Sequence, residues 1–521
     1  MANSYETISD CLLVAAIDFG TTFSGYAFAF KSDYKEDPLK ISGFTWTLGS
    51  QAGLSLKTPT CVLFNPRGDF DSFGAEAEEK YTALAESEDH QSWYFFSRFK
   101  MQLYKNHEIP RNLTIEDDQG KHLEAIKVIS KSINYLRGHL MEQIAKRDIQ
   151  IKKTEITWVL TVPAIWSDPA KQFMREAAVE EVQTDGSIKQ LYMANGGDWG
   201  GTKVDQAFDE YMMELAGPAT VYKFRDEDKA GHLDLCREFE IKKRNIQPDQ
   251  TSKVTFRVPS TLSEIFKREE GTDFKQSVSS SKRVTWVGDK LRVDAALAQG
   301  FFDSTCQHIV QHLKGIFNEE KVRGTNTILM VGGFSDSPML RKAVELSFPD
   351  KNIIIPHEAG LAVLKGAVQY GYDPRIISTR ICKFTYGVRT NSRFKEGIDP
   401  ESKRKIRDGK SKCGDSFSKH VIIGQAVHIN EAIEEKMYYP SYSDQTKMRV
   451  SIYTSTEEDP RYTDDPSCAY LGELTVHMPD TRGGKHRQVS VQLTFGGTEI
   501  EVTATKTGTG EETKAFLNFL R

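Results

Sequence analysis

The sequence predicts two structural parts, an α/β core running to about Gly371 and an antiparallel β-sandwich after it. Three observations predict this. Short continuous apolar runs of strand length recur between segments with helical apolar spacing in the first part. Beyond Gly371 the pattern changes to period-two alternation broken by glycine-rich turns. A chain of 521 residues also exceeds what one hydrophobic core organises, so more than one domain is expected.

Leu12 to Ile17 forms the first buried strand. Thr157 to Val162 forms another, stopped by Pro163, and Asp168-Pro169 then supply an N-cap and a first-turn proline for a helix through Ala178. Thr184-Asp185-Gly186-Ser187 reads as a hairpin turn between two alternating stretches. Val204, Phe208, Tyr211, Met212 and Leu215 recur at helical spacing, as do residues from Ala295 to Phe317. Thr327 to Val331 is a third apolar strand, followed by Gly332-Gly333 and a helix opened by Ser337-Pro338. In the second part Met448, Val450 and Ile452 alternate with polar residues. So do Val489, Val491, Leu493 and Phe495, and then Ile500, Val502 and Ala504. The boundary is placed near residues 370–380, giving parts over 11–372 and 380–521.

Composition excludes several function classes. Hydrophobic residues make up 39% and charged residues 27%, as in ordinary globular proteins. The formal charge of −5 is dispersed, so no field for nucleic acid is expected. The basic run Lys403-Arg404-Lys405-Ile406-Arg407 reads as a solvated loop. The seven cysteines are scattered without C-x-x-C spacing, which argues against structural zinc and fits a reducing compartment. The start lacks a signal-peptide pattern and no segment is long and apolar enough to span a bilayer, so a cytoplasmic protein is expected.

Four motifs carry candidate chemistry. In Asp18-Phe19-Gly20-Thr21-Thr22, directly after the first strand, Gly20 lets the main chain approach a phosphate. Two threonine hydroxyls add donors there, and Asp18 can hold a hydrated Mg²⁺ through water. Val331-Gly332-Gly333-Phe334 forms a strand-to-helix platform on which a flat ring or a phosphate can lie. Pro356-His357-Glu358-Ala359-Gly360 contains a histidine with no ligand partner at helical spacing. Glu240-Ile241-Lys242-Lys243-Arg244 lies on a charged helix whose default role is a solvated face with i,i+4 pairs.

In this order and spacing, D-x-G-T-T, E-x-x-K-R, V-G-G-x-x-x-x-P and P-x-E-A resemble the actin/hexokinase/heat-shock-70 superfamily. The E-x-x-K-R helix and the β part narrow this to the heat-shock-70 family. Thr161-Val162-Pro163-Ala164-Ile165-Trp166, Lys171 to Ala178 and Trp199-Gly200-Gly201-Thr202-Lys203-Val204-Asp205 are similar to a divergent branch of that family. The resemblance covers nearly the whole chain. It implies a two-lobed actin-like (ribonuclease H-like) ATPase domain with ATP or ADP and Mg²⁺ in the cleft, followed by a client-binding β-sandwich. Gly20, Thr21 and Thr22 would then contact the β- and γ-phosphates, and Asp18 would order the Mg²⁺ waters. Lys100 would position the attacking water. Glu240, Lys243 and Arg244 would clamp adenosine, with Arg244 on the base and Glu240 on the ribose. Gly332 and Gly333 would line its other side.

The sequence departs from the family in three places. His357 replaces the aspartate expected after the proline. A second phosphate loop, D-x-G-G-G-T, and the inter-lobe helix before it are missing; the chain passes from Ala178 almost directly to the Thr184–Ser187 turn, an apparent internal deletion near 178–180. The helical lid and acidic tail tetrapeptide are not found after the β part, so a bound apolar peptide should leave quickly. The expected activity is an ATP-binding, chaperone-like protein with weak or lost hydrolysis, its partners being nucleotide and exposed apolar peptide segments or partner proteins. A nucleotide-independent interaction scaffold is the alternative, and a small-molecule kinase of the same superfamily comes after it.

Overall fold

A computed structural model describes residues 11–47, 54–105, 109–147, 149–163, 166–179, 196–279, 283–320, 322–356, 358–373, 379–407, 409–429, 431–496 and 500–517. The Thr184–Ser187 turn and His357 lie outside the described residues.

The first sheet is built on β1 (Leu13–Asp18), whose residues Leu13 to Ala16 are wholly buried. It pairs antiparallel with β2 (Phe23–Phe30), which also pairs with short β3 (Ser42–Gly43) and β4 (Thr58–Pro59). On its other side β1 pairs in parallel with β5 (Ile156–Thr161). A strand buried on both faces must be apolar throughout, which is why β1 reads as a continuous run. One face packs on a large aromatic core, with α1 (Ala125–Ala145) and α2 (Asp168–Val179) contributing Val128, Leu136, Phe173 and Met174. The helix Ala359–Tyr372 covers the other face through Leu361, Leu364 and Val368.

From Gly201 to Phe348 a second core gathers helices and small sheets. It includes α3 (Gly201–Ala216) and α4 (Lys229–Lys243). The helical run expected from Ala295 to Phe317 is two helices, Ala295–Gly300 and Asp303–Asn318. Gly300 ends the first, and Phe301 and Phe302 enter the core between them. The parallel pair β6 (Thr327–Leu329) and β7 (Asn352–Ile354) forms a two-stranded sheet among the described residues.

From Thr379 onward the described residues are all-β apart from two short 3₁₀ turns, with antiparallel pairing. One sheet has five strands, including Thr385–Arg393, Lys410–Val421, Lys447–Ser455 and Cys468–His477. A second has four, including Val489–Phe495 and Ile500–Lys506, and Thr379–Ile381 pairs with Ala426–His428 in a third. A single hydrophobic cluster takes Val450, Ile452 and Val476 from the first sheet and Val491, Leu493 and Val502 from the second. Among the described residues no helix is long and apolar enough to cross a membrane.

Candidate functional site

The turn between β1 and β2 is anchored by Phe19, fully buried, with its ring centroid 5.9 Å from that of Phe99. At Gly20 a Cβ would lie 2.0 Å from the Phe23 carbonyl oxygen, so no other residue fits this turn. The Gly20 N–H donates to Ser24 Oγ at 3.1 Å, and Ser24 Oγ lies 2.7 Å from Thr60 Oγ1. The Thr60 N–H in turn donates to the Thr22 carbonyl at 2.8 Å. These bonds fix the backbone of the turn, while the N–H groups of Thr21 and Thr22 have no acceptor among the described residues. Fixed, unpaired amides on a turn are the donors that a phosphate uses.

Asp18, at the end of β1, lies between Gly25 of β2 and Thr161 of β5. Thr161 Oγ1 donates to its Oδ1 at 2.5 Å and Lys57 Nζ to its Oδ2 at 2.6 Å. Lys57 reaches it over Gly25, where a Cβ would sit 3.0 Å from Lys57 Cγ. Lys100 is buried, donates to the Phe19 carbonyl, and holds Nζ 5.1 Å from the Trp166 ring centroid. Burial disfavours the charged form of Asp18. The Lys57 ammonium, the hydrogen bonds from Lys57 and Thr161, and the field of Lys100 nonetheless hold its carboxyl below the ordinary value. Burial pulls Lys100 down to about 8, with Asp18 opposing and Lys57 adding to the drop.

The sequence places a hydrated Mg²⁺ at Asp18, but this donor set does not fit one. Both carboxylate oxygens already accept from protein donors, and the carboxylate is neutralised by an ammonium. Among the described residues no cluster of three or more carboxylate, histidine or cysteine side chains could hold a metal. With two lysines to one aspartate, the floor of the crevice suits an anion.

The other wall is the C-terminal end of α4. Asp228 caps the helix start by accepting the Gly231 N–H at 2.8 Å. At the far end Arg244 carries its guanidinium 4.8 Å from the Phe23 ring centroid, on the first lobe's turn. Glu240 accepts from Arg244 Nε at 2.8 Å and also pairs with Lys243. The Arg244 charge also reaches Asp336, opposing the upward push that burial gives that carboxyl. Asp336 closes the short 3₁₀ turn Gly333–Asp336. Gly332 adopts a φ of 91°, a left-handed backbone that favours glycine. Its N–H donates to the Ala359 carbonyl at 2.9 Å. A Cβ on Gly332 or Gly333 would meet nothing within 4 Å, so this backbone faces open space. Beside it lies a cavity of about 660 Å³ lined by Gln247, Pro248, Ser335, Asp336, Ile355 and Pro356, among others.

Arg244 therefore lies against Phe23, beside the Gly20–Thr22 turn, and its charge reaches Asp336 at the end of the Gly333–Asp336 turn. Lys243, expected beside Glu240 and Arg244 on a nucleoside, is directed inward. It is buried, pairs with Asp205 and donates to the Gly201 carbonyl at 3.3 Å. Asp205 also takes Arg98 at 2.8 Å, and Arg237 reaches Glu78 at 3.3 Å, so two ion pairs join α3 and α4 to residues of the first core's segment. Lys57, Phe23 and Thr161 escape the motif reading. The one signal for Lys57 is Gly25, an isolated glycine inside an apolar strand that marks a close approach.

No family model matches the chain. It is similar to heat shock 70 kDa protein 12B of Homo sapiens, 27% identical over 629 residues covering 98% of this chain and 91% of that protein. It is also 27% identical over 623 residues to heat shock 70 kDa protein 12A of Mus musculus, covering 98% of this chain and 92% of that protein. The human 12A protein matches to the same extent. The resemblance to this divergent branch of the heat-shock-70 family thus runs along almost the full chain. The first alignment is longer than the 521-residue chain itself, so that relative has residues with no counterpart here.

Proposed function

We propose that this chain, similar to heat shock 70 kDa protein 12A and 12B along its length, is a heat-shock-70-like nucleotide-binding, chaperone-like protein with weak or lost hydrolysis. The observation that carries the reading is the junction at Arg244. Its guanidinium lies against Phe23, next to the Gly20–Thr22 turn, and its charge reaches Asp336 of the Gly333–Asp336 turn, which supports placing both turns on one crevice. ATP or ADP would lay its phosphates on the amides of Thr21 and Thr22, near the ammonium groups of Lys57 and Lys100. The base would lie toward the 660 Å³ cavity, with Arg244 against its face and Glu240 within reach of the ribose.

Hydrolysis needs more than binding. The transferred phosphoryl group must be stabilised as charge develops on it, and one fixed donor alone is worth ~3 kcal/mol. The sequence carries one phosphate turn and no second D-x-G-G-G-T loop, so turnover is expected to be slow. The all-β part is proposed as a sandwich that grips extended apolar peptides through main-chain bonds.

Calorimetric titration with ATP tests the binding. Saturable binding, weakened about tenfold by Arg244→Ala, is the expected result, and no heat at millimolar ATP would refute it. Radiolabelled turnover at the rate of an ordinary heat-shock-70 protein would refute slow hydrolysis. The second reading is a scaffold that works without nucleotide. It is favoured by the ion pairs Arg98–Asp205 and Arg237–Glu78, which join the two walls through protein groups alone. ATP that leaves the melting temperature unchanged would select it.

A further inference from the structure

We infer that the crevice takes its nucleotide without a divalent cation, the Lys57 ammonium seated on Asp18 acting with Lys100 as the counter-charge to the phosphates. The inference rests on the nucleotide reading above and specifies its ionic requirement.

The argument begins with how Lys57 is held. Its ammonium lies 2.6 Å from Asp18 Oδ2, and its side chain is only 16% exposed. The path is built into the strand register. Gly25 is the cross-strand partner of Asp18, and the missing Cβ there leaves the space that the Lys57 stem crosses. A surface lysine that meets a carboxylate by chance needs no such track. Thr161 fixes the other oxygen, so the carboxylate is oriented from both sides.

Charge then decides what can enter. A magnesium ion in a nucleotide site is usually held by one or two carboxylates and the phosphates, keeping several waters. Here the one carboxylate at the turn is neutralised, and a second ammonium, Lys100, is buried behind it. A dication brought to Asp18 meets two like charges at short range, whereas a polyphosphate meets two opposite ones. On the far wall, Asp205 is committed to Lys243 and Arg98, and Glu240 to Lys243 and Arg244. A lysine is a compact point charge suited to a phosphate oxygen, and Lys57 can bridge Asp18 and the phosphate without leaving its track.

The test is calorimetric titration of the intact chain with ATP, once in EDTA and once in excess Mg²⁺. The expected Kd values agree within about threefold, less than 0.7 kcal/mol. Lys57→Met is expected to weaken binding in EDTA by about tenfold, and Lys57→Arg to retain it. Binding of ATP by the wild type at least about tenfold tighter in Mg²⁺ than in EDTA would overturn the inference and leave the nucleotide reading standing. Unchanged binding by Lys57→Met in EDTA would overturn it as well. Absence of ATP binding in both buffers would remove the nucleotide reading itself. The comparison of buffers uses only the wild-type protein, so it decides the matter even where the methionine variant fails to fold.

Discussion

Replacing Lys100 by methionine should stabilise the fold while removing phosphate binding. Lys100 is 2% exposed, donates to the Phe19 carbonyl and sits near the Phe19 and Trp166 rings. Burial takes its ammonium from 10.5 to about 8. That difference corresponds to about 3 kcal/mol of cost for the charged form. The folded value lies below the unfolded one. The unfolded chain therefore binds more protons between about pH 8 and 10.5, and stability rises through that window. At pH 7 the full cost is present. Methionine has a similar length, carries no charge and loses one hydrogen bond worth ~1 kcal/mol. The variant should therefore be more stable at pH 7 by about 2 kcal/mol, or roughly 2–4 °C in melting temperature for a domain of about 360 residues. Near pH 10.5 the order should reverse, with the wild type ahead by ~1 kcal/mol. Urea unfolding of both proteins across pH 7 to 10.5, with hydrogen exchange at the β1 amides, reads the difference. A variant less stable at pH 7, or a gap that does not move with pH, refutes the reasoning. So does a variant that binds ATP as tightly as the wild type.

Three further outcomes are expected. Asp205→Ala leaves the buried Lys243 ammonium with Glu240 as its one ion-pair partner, and should cost about 2–4 kcal/mol in urea unfolding. Gly371→Ala places a Cβ 2.4 Å from Val14 Cγ1 and 2.9 Å from Val159 Cγ2, so the covering helix must shift. A loss of about 1–3 kcal/mol by calorimetry is expected. In the all-β part, burial and the Lys436 charge depress His420 to about 4, and its Nδ1 has no partner. The folded value again lies below the free one, so stability should fall as the pH drops from about 6.5 to 4. The total is up to about 3 kcal/mol. The slope should disappear in His420→Gln, and equal slopes for the two proteins would exclude His420 as its source.

Much of the framework was legible because period and burial are properties of local sequence. The run from Leu12 to Ile17 is β1 within one residue, and Asp168-Pro169 open a helix that ends at Val179. The alternating residues Val489, Val491, Leu493, Ile500, Val502 and Ala504 are all buried. Legibility ended where the answer depends on which strand lies beside which. Lys57 meets Asp18 through the pairing of β1 with β2 and of β2 with β4, and no local pattern records that register. Lys243 is similar. Its place in E-x-x-K-R puts it on the face of Glu240, but the burial of Asp205 on α3 turns the ammonium inward.

The charge at Asp18 and the small second sheet bear on each other. The Gly20–Thr22 turn stands on a five-stranded sheet. The parallel pair β6 and β7 has two strands among the described residues and leaves Leu329 59% and Ile354 43% exposed. With the Asp18 carboxylate already held by Lys57 and Thr161, a crevice with one glycine turn of free amides among the described residues offers few amides to a triphosphate and few free oxygens to a cation. On the nucleotide reading, lysine charge at positions 57 and 100 supplies the counter-charge to the phosphates. It offsets phosphate charge in the ground state and is not aimed at the charge that develops during transfer. Such an arrangement favours holding a nucleotide over cleaving it. Reversing the charge by Lys57→Glu should therefore abolish ATP binding in EDTA. Binding by that variant at wild-type affinity would show that the charge at position 57 is irrelevant to the crevice.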